Sequence, residues 1–185
     1  MLELAIDRGF SIGPRLRRAA SFCALLGALL TASFAHAAEG SITTAPDWKG
    51  EDLDGKTHEL KTLLAKGPVL LNFWATWCKP CMQELPEVQK LWDKYKDQGF
   101  SFVTVAYDDA KSVGKVKPLA KSKGFRFPVI LDPEHKIANP YSVRNCPTSF
   151  LIAPDGKIVS IAQGYRPGDE KALEEEIVKL LPKKS

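Results

Sequence analysis

Six consecutive residues, Val69-Leu70-Leu71-Asn72-Phe73-Trp74, stand out from an otherwise mixed chain as a nearly unbroken apolar run. A short run of this kind predicts a central strand covered on both faces. Just beyond it, Met82, Leu85, Val88, Leu91, Trp92 and Tyr95 recur at spacings of mostly three and four, which predicts a helix with one buried stripe. Pro86 falls inside that helix, removes the hydrogen bond to the carbonyl of Met82 and should kink the axis. Between strand and helix lies Trp77-Cys78-Lys79-Pro80-Cys81, so two thiols occupy a strand-to-helix junction.

The same reading extends along the chain. Glu51 to Leu60 carries an Asp54-Gly55 turn between short segments with apolar members, the pattern of a hairpin that would cap a sheet edge. Phe100 to Tyr107 predicts a second strand, Lys111 to Lys123 a Lys-rich helix, and Pro128 to Leu131 a third strand. A short helical turn is expected over His135 to Tyr141. Thr148 to Ala153 and Lys157 to Ala162, joined by Pro154-Asp155-Gly156, read as an antiparallel hairpin. Leu173, Ile177, Leu180 and Leu181 give the last helix its buried face. This order, with no internal repeat or low-complexity tract, predicts an α/β sandwich with a mixed sheet.

The length of 185 residues allows one domain with a real core. Residues 1–37 are not expected to belong to it. Arg15, Arg17 and Arg18 precede an apolar segment from Ala19 to Phe34, and Ala35-His36-Ala37 fits a signal cleavage site, so the mature domain should run over residues 38–185. The run also approaches the ~20 residues that span a bilayer, which makes an uncleaved anchor and membrane tether the alternative. Cys23 reads as part of this leader. Net charge is +4, and +2 once the four arginines and two acids of residues 1–37 are set aside, too little to argue nucleic-acid binding.

Export alters the reading of the cysteines, because an oxidising compartment favours structural disulfides. Cys78, Cys81 and Cys146 are odd in number, and a pair two residues apart is a poor staple, so redox work is the better reading. Amides in the first helical turn lack intrahelical partners and the helix dipole favours negative charge, so the Cys78 thiolate should be stabilised. Cys78 is then the exposed attacker and Cys81, one turn inside, the resolving thiol; the exchange needs no cofactor. The competing reading is half of a zinc site, which only Cys146, His58 and His135 could complete. No metal is expected. Pro80 stiffens the first turn, and Lys79 should push the potential upward unless solvent screens it. His58 and His135 read as surface residues.

Asn72 to Cys81, Glu84-Leu85-Pro86 and Val143 to Phe150 together resemble the exported thioredoxin-like proteins of the TlpA and ResA type, within the AhpC/TSA-Redoxin-like superfamily. The resemblance runs from about Ala45 to the last helix. It implies a thioredoxin-like three-layer α/β/α sandwich with an N-terminal β-hairpin and an inserted helix–strand element. It also implies a cis bond before Pro147, which would hold the peptide facing Cys78, leave the Cys146 backbone free to pair with an extended substrate, and crowd the sulfur against metal capture. Trp77 becomes a partner contact. Cytoplasmic thioredoxins carry a buried acid where this chain has Asn72, which cannot titrate, and Glu84 is the candidate replacement. On periodicity alone, an exposed helix carboxylate is the alternative reading of Glu84.

Cys146 departs from the family pattern, which places an apolar or hydroxyl residue before this proline. It is either a small residue beside the substrate groove or a third sulfur in redox or soft-metal chemistry. The resemblance implies a periplasmic or otherwise extracytoplasmic thiol-disulfide oxidoreductase. Its clients would be disulfide-containing proteins in cytochrome c maturation or copper-site assembly, and its electron donor a membrane thiol reductase. The rivals are an oxidase or isomerase of folding proteins and a Cu(I) carrier using Cys78, Cys81 and Cys146.

Overall fold

The computed structural model describes residues 42–182. The expected leader, its cleavage site and Cys23 lie outside them. Among the described residues no helix is long and apolar enough to cross a membrane.

The strands β1 (Lys49–Glu51), β2 (Thr57–Glu59), β3 (Val69–Trp74), β4 (Ser101–Ala106), β5 (Val129–Leu131), β6 (Thr148–Ile152) and β7 (Ile158–Gln163) are interspersed with four helices. These are α1 (Leu60–Leu64), α2 (Lys79–Tyr95), α3 (Val116–Lys123) and α4 (Asp169–Leu180). Five strands form one mixed sheet in the order β5-β4-β3-β6-β7. The apolar run is its central strand: β3 is buried at every position, parallel to β4 and antiparallel to β6. Its alternating side chains feed two cores, one per face. Leu70 and Trp74 pack with α2, α3 and α4, while Val69, Leu71 and Phe73 pack with α1, Trp48 and the segment around Tyr141. Layers on both faces of a mixed sheet are the expected three-layer sandwich, with α3 and β5 as the helix–strand element.

Several boundaries differ from the sequence reading. The Lys-rich helix starts only at Val116, because the Asp109 carboxylate accepts the amides of Lys111 and Ser112 and holds the segment before it in a turn. His135 to Tyr141 forms the expected short helical turn, closed by the Asn139 amide on the His135 carbonyl at 2.9 Å and organised by Asp132, whose Oδ2 accepts from the amides of Ile137 and Ala138. The helix α1 went unread, five residues being too few for a periodic signal. Pro86 lies inside α2, which continues through it to Tyr95.

The N-terminal hairpin makes its own two-stranded sheet and touches the edge strand through an Asp52–Ile130 bridge. Gly50 makes that contact possible, since a Cβ there would lie 2.6 Å from Ile130 Cγ2. The expectation of a surface His58 fails here. His58 is buried, with Nε2 2.6 Å from Asp52 Oδ2. Burial opposes ionisation of Asp52, yet the His58 bond and the Lys56 and Asp54 amides together hold its carboxyl below the usual range. His135 is half-buried, its Nε2 3.1 Å from the Tyr107 carbonyl oxygen, and so is not a free surface residue either.

Candidate active site

The backbone leaves β3 at Trp74, crosses Ala75-Thr76-Trp77 and enters α2 with Cys78 as its N-cap. Lys79 and Pro80 occupy the first two helical positions, so Cys81 supplies the third amide. Pro80 has no N–H to offer, and the Cys81 amide donates to Cys78 Sγ at 3.2 Å. Thus a helix-terminal donor points at the sulfur expected to carry negative charge. Cys78 and Cys81 are joined as a disulfide.

Cys78 was expected to be exposed, but it is buried at 3% accessibility, and Cys81 is fully buried. The reason is its role as cap: Sγ turns inward over the first helical turn instead of outward. Exposure passes to its neighbours. Trp77, at 63% accessibility, Lys79 and Pro80 form the open rim, and the Trp77 ring meets Tyr107 edge-on with centroids 6.3 Å apart.

Asp108 positions the crossing loop. It is fully buried just past the end of β4, accepts the Thr76 amide at 2.9 Å and accepts the Thr76 hydroxyl as well. Sequence reasoning missed this residue. The available signal was topological: β3 and β4 are parallel, with Trp74 opposite Ala106, so residues after both strands emerge together at the carboxyl edge.

Asn72, Glu84 and Ser149 form a buried polar triad. Asn72 and Ser149 face each other across β3 and β6, and Glu84 from α2 reaches both. Asn72 Nδ2 donates to Glu84 Oε2 at 2.9 Å and to Ser149 Oγ at 2.8 Å, while Ser149 Oγ donates to Glu84 Oε1 at 3.1 Å. Glu84 is only 5% accessible, which removes the reading of an exposed helix carboxylate. Burial raises its pKa to about 7 against the opposing hydrogen bonds from Asn72 and Ser149, with the charge of Asp169 adding to the rise. Glu84 lies three residues beyond Cys81, on the adjacent turn of the same helix face. Ser149 was not anticipated, because its partner is 65 residues away in sequence.

The peptide between Cys146 and Pro147 is cis. The free thiol of Cys146 brings a third sulfur to the site, with the Sγ atoms of Cys78, Cys81 and Cys146 all within 4.8 Å of one another. Burial pushes the Cys146 thiol up against hydrogen bonds from the Tyr107 hydroxyl and the Ala75 backbone, and the Asp108 charge adds to the rise. Neither His58 nor His135 belongs to this cluster, so the histidines that zinc would need are engaged elsewhere.

Residues 43–161 match the family model described as the AhpC/TSA family. The chain belongs to that family. Over 138 residues it is 41% identical to the thiol-disulfide oxidoreductase ResA of Bacillus anthracis, covering 75% of this chain and 77% of the relative. Against ResA of Bacillus subtilis (strain 168) it is 41% identical over 145 residues, or 77% and 78% of the two chains. A Chlorobium tepidum crystal structure described as a thiol:disulfide interchange protein DsbE superposes with a TM-score of 0.69 at 34% identity, covering 76% of this chain and 96% of that one. The protein is accordingly a thioredoxin-like thiol-disulfide oxidoreductase, and Cys78 with Cys81 is its redox pair.

Proposed function

We propose that this AhpC/TSA-family oxidoreductase works as a reductant, passing electrons from its Cys78/Cys81 dithiol to disulfides of protein clients outside the cytoplasm. The observation that carries the direction is the burial of Glu84. A reduced pair holds more negative charge than a disulfide whenever a thiol ionises, and a carboxylate enclosed one helical turn away disfavours that charge. Destabilising the reduced state lowers the reduction potential, because about 30 mV corresponds to 1.4 kcal/mol. Lys79 pulls the other way, but it is exposed and screened, whereas Glu84 acts through the protein interior.

Turnover divides the roles. Cys78 attacks the client disulfide, forming a mixed disulfide and releasing the client's first thiolate. Cys81 then gives up its proton, attacks Cys78 Sγ and releases the second client thiol, leaving the oxidised pair. Glu84, its pKa near neutrality, accepts the Cys81 proton. Trp77, Lys79 and Pro80 form the client-facing rim, and the backbone at Cys146–Pro147 receives an extended client segment. Clients with paired cysteines awaiting haem or copper, and a membrane thiol reductase as donor, fit a reductant in that compartment. Residues 1–37 serve as the export signal.

The deciding experiment equilibrates the Cys78/Cys81 pair with glutathione buffers. A potential well below the glutathione couple is expected; one near that of the strong oxidants would make the protein an oxidase or isomerase. Cys78→Ala abolishes insulin disulfide reduction, whereas Cys81→Ala accumulates the mixed disulfide on Cys78.

A further inference from the structure

Cys146 is the thiol among the described residues that two-thiol exchange does not use. It arrives from the loop before β6, while Cys78 and Cys81 come from the start of α2, so the three sulfurs converge from separate elements. Their mutual separations of 4.8 Å or less set a geometric test. An ion bound by three thiolates at about 2.3 Å in a trigonal plane holds the sulfurs about 4 Å apart. In the disulfide the Cys78 and Cys81 sulfurs are bonded to each other, so that spacing can arise only after reduction; Cys146 Sγ already lies within 4.8 Å of both, and breaking the bond frees the other two sulfurs to separate around an ion.

We propose that the reduced protein binds one Cu(I) ion through the thiolates of Cys78, Cys81 and Cys146. Thiolates are soft ligands that favour Cu(I), which is satisfied by three of them. Structural zinc takes four ligands, and among the described residues no histidine, aspartate or glutamate joins the three sulfurs. Pro147, expected to crowd the sulfur against metal capture, is preceded in this chain by Cys146, so the residue beside the pair is itself a soft ligand. The Cys81 amide donates to Cys78 Sγ at 3.2 Å, so a backbone donor already points at one of the three sulfurs.

The site exists only in one redox state. In the disulfide, two of the three sulfurs are spent on each other and a single thiol remains. Reduction adds two electrons and two protons to the pair; Cu(I) then displaces thiol protons to solvent, and no electron moves in the binding step. Later transfer of the pair's two electrons to a client disulfide re-forms the Cys78–Cys81 bond and expels the ion. The inference rests on the redox pair alone and is independent of which way electrons flow in the cell.

The test titrates the full-length protein anaerobically with Cu(I) against a competing bicinchoninate chelator, after reduction with dithiothreitol and its removal. One equivalent is expected to bind the reduced protein, and the oxidised protein should fail to compete. Cys146→Ser should weaken retention more than about 100-fold, beyond what loss of an outer-shell partner costs. Alkylation of the loaded wild type should find all three thiols protected, which decides the matter even if the variant misfolds. Unchanged affinity in Cys146→Ser, equal binding by the oxidised protein, alkylation of Cys146 at its free rate, or preference for Zn(II) under the same competition would each overturn the assignment. A failure of the exchange chemistry shows separately, as a Cys78/Cys81 pair that dithiothreitol does not reduce.

Discussion

Asn72 Nδ2 donates a 2.9 Å hydrogen bond to Glu84 Oε2, joining the centre of the sheet to the helix that carries the disulfide. The amide cannot titrate, so this contact leaves Glu84 as the protonatable partner. The titratable carboxyl of this contact therefore lies on α2, one turn from Cys81, and on the proposed mechanism it handles the proton there. With a pKa of about 7, that carboxyl changes charge within the working range of thiol exchange.

Glu84→Gln should therefore remove the inflection near pH 7 from the rate of client release. Wild-type rates rise with pH as the carboxylate forms; the variant loses this limb and slows about 100-fold or more, the usual worth of a positioned base. Its reduction potential should also move upward by about 30 mV or more, since the buried negative charge opposing the dithiol is gone. Stopped-flow insulin reduction across pH and glutathione equilibration measure the two effects. A variant with the wild-type profile and potential would sink the assigned role.

The same group sets a pH dependence of stability. Glu84 holds its proton more tightly in the folded chain than at its ordinary 4.5, so its contribution is fully present below pH 4.5 and is lost as pH rises through about 7. The total is about 3 kcal/mol. Urea unfolding of the oxidised protein should show this decline, and Glu84→Gln should flatten it and be more stable than wild type at pH 8.

Ser149→Ala removes one of two donors that hold the Glu84 carboxylate. Because those bonds favour the charged form, the Glu84 pKa should climb above 7 and the inflection in client release should shift to higher pH with it. Loss of a bond to a charged group costs about 1.5–3 kcal/mol at high pH and less where Glu84 is protonated. Unfolding curves at pH 5 and pH 8 separate the two regimes.

Trp77→Ala should raise KM for protein disulfides while leaving cleavage of a small aromatic disulfide reagent near wild type. The indole is exposed beside the redox pair and meets Tyr107 edge-on, so its loss should remove client-facing surface without loosening the core. Equal loss on both substrates would show that it instead holds the loop.

Gly50→Ala tests how the hairpin docks. The added methyl would meet the Ile130 side chain at 2.6 Å, and the hairpin must shift or Ile130 must change rotamer. A loss of about 1–3 kcal/mol is expected from such overpacking, with faster amide exchange in β1 and β2. Activity should hold, because the redox pair sits at the start of α2, beyond the end of the central strand β3, and the hairpin docks on the edge strand β5.

The central strand, the two-thiol helix start and the amphipathic stripe of α2 are legible in the amino-acid order, because each follows from local periodicity or from the backbone chemistry of one junction. The resemblance added the expectation of a cis bond before Pro147, which the structure contains. The surroundings of the sulfurs come from long-range packing. Sheet pairing sets Asn72 opposite Ser149, and parallel strands bring Asp108 to Thr76. The loop before β6 carries Cys146 to the helix start. Burial decided the ionisation of Glu84 and the pairing of His58 with Asp52. Desolvation depends on everything packed around a group, and no window of neighbouring residues contains that information.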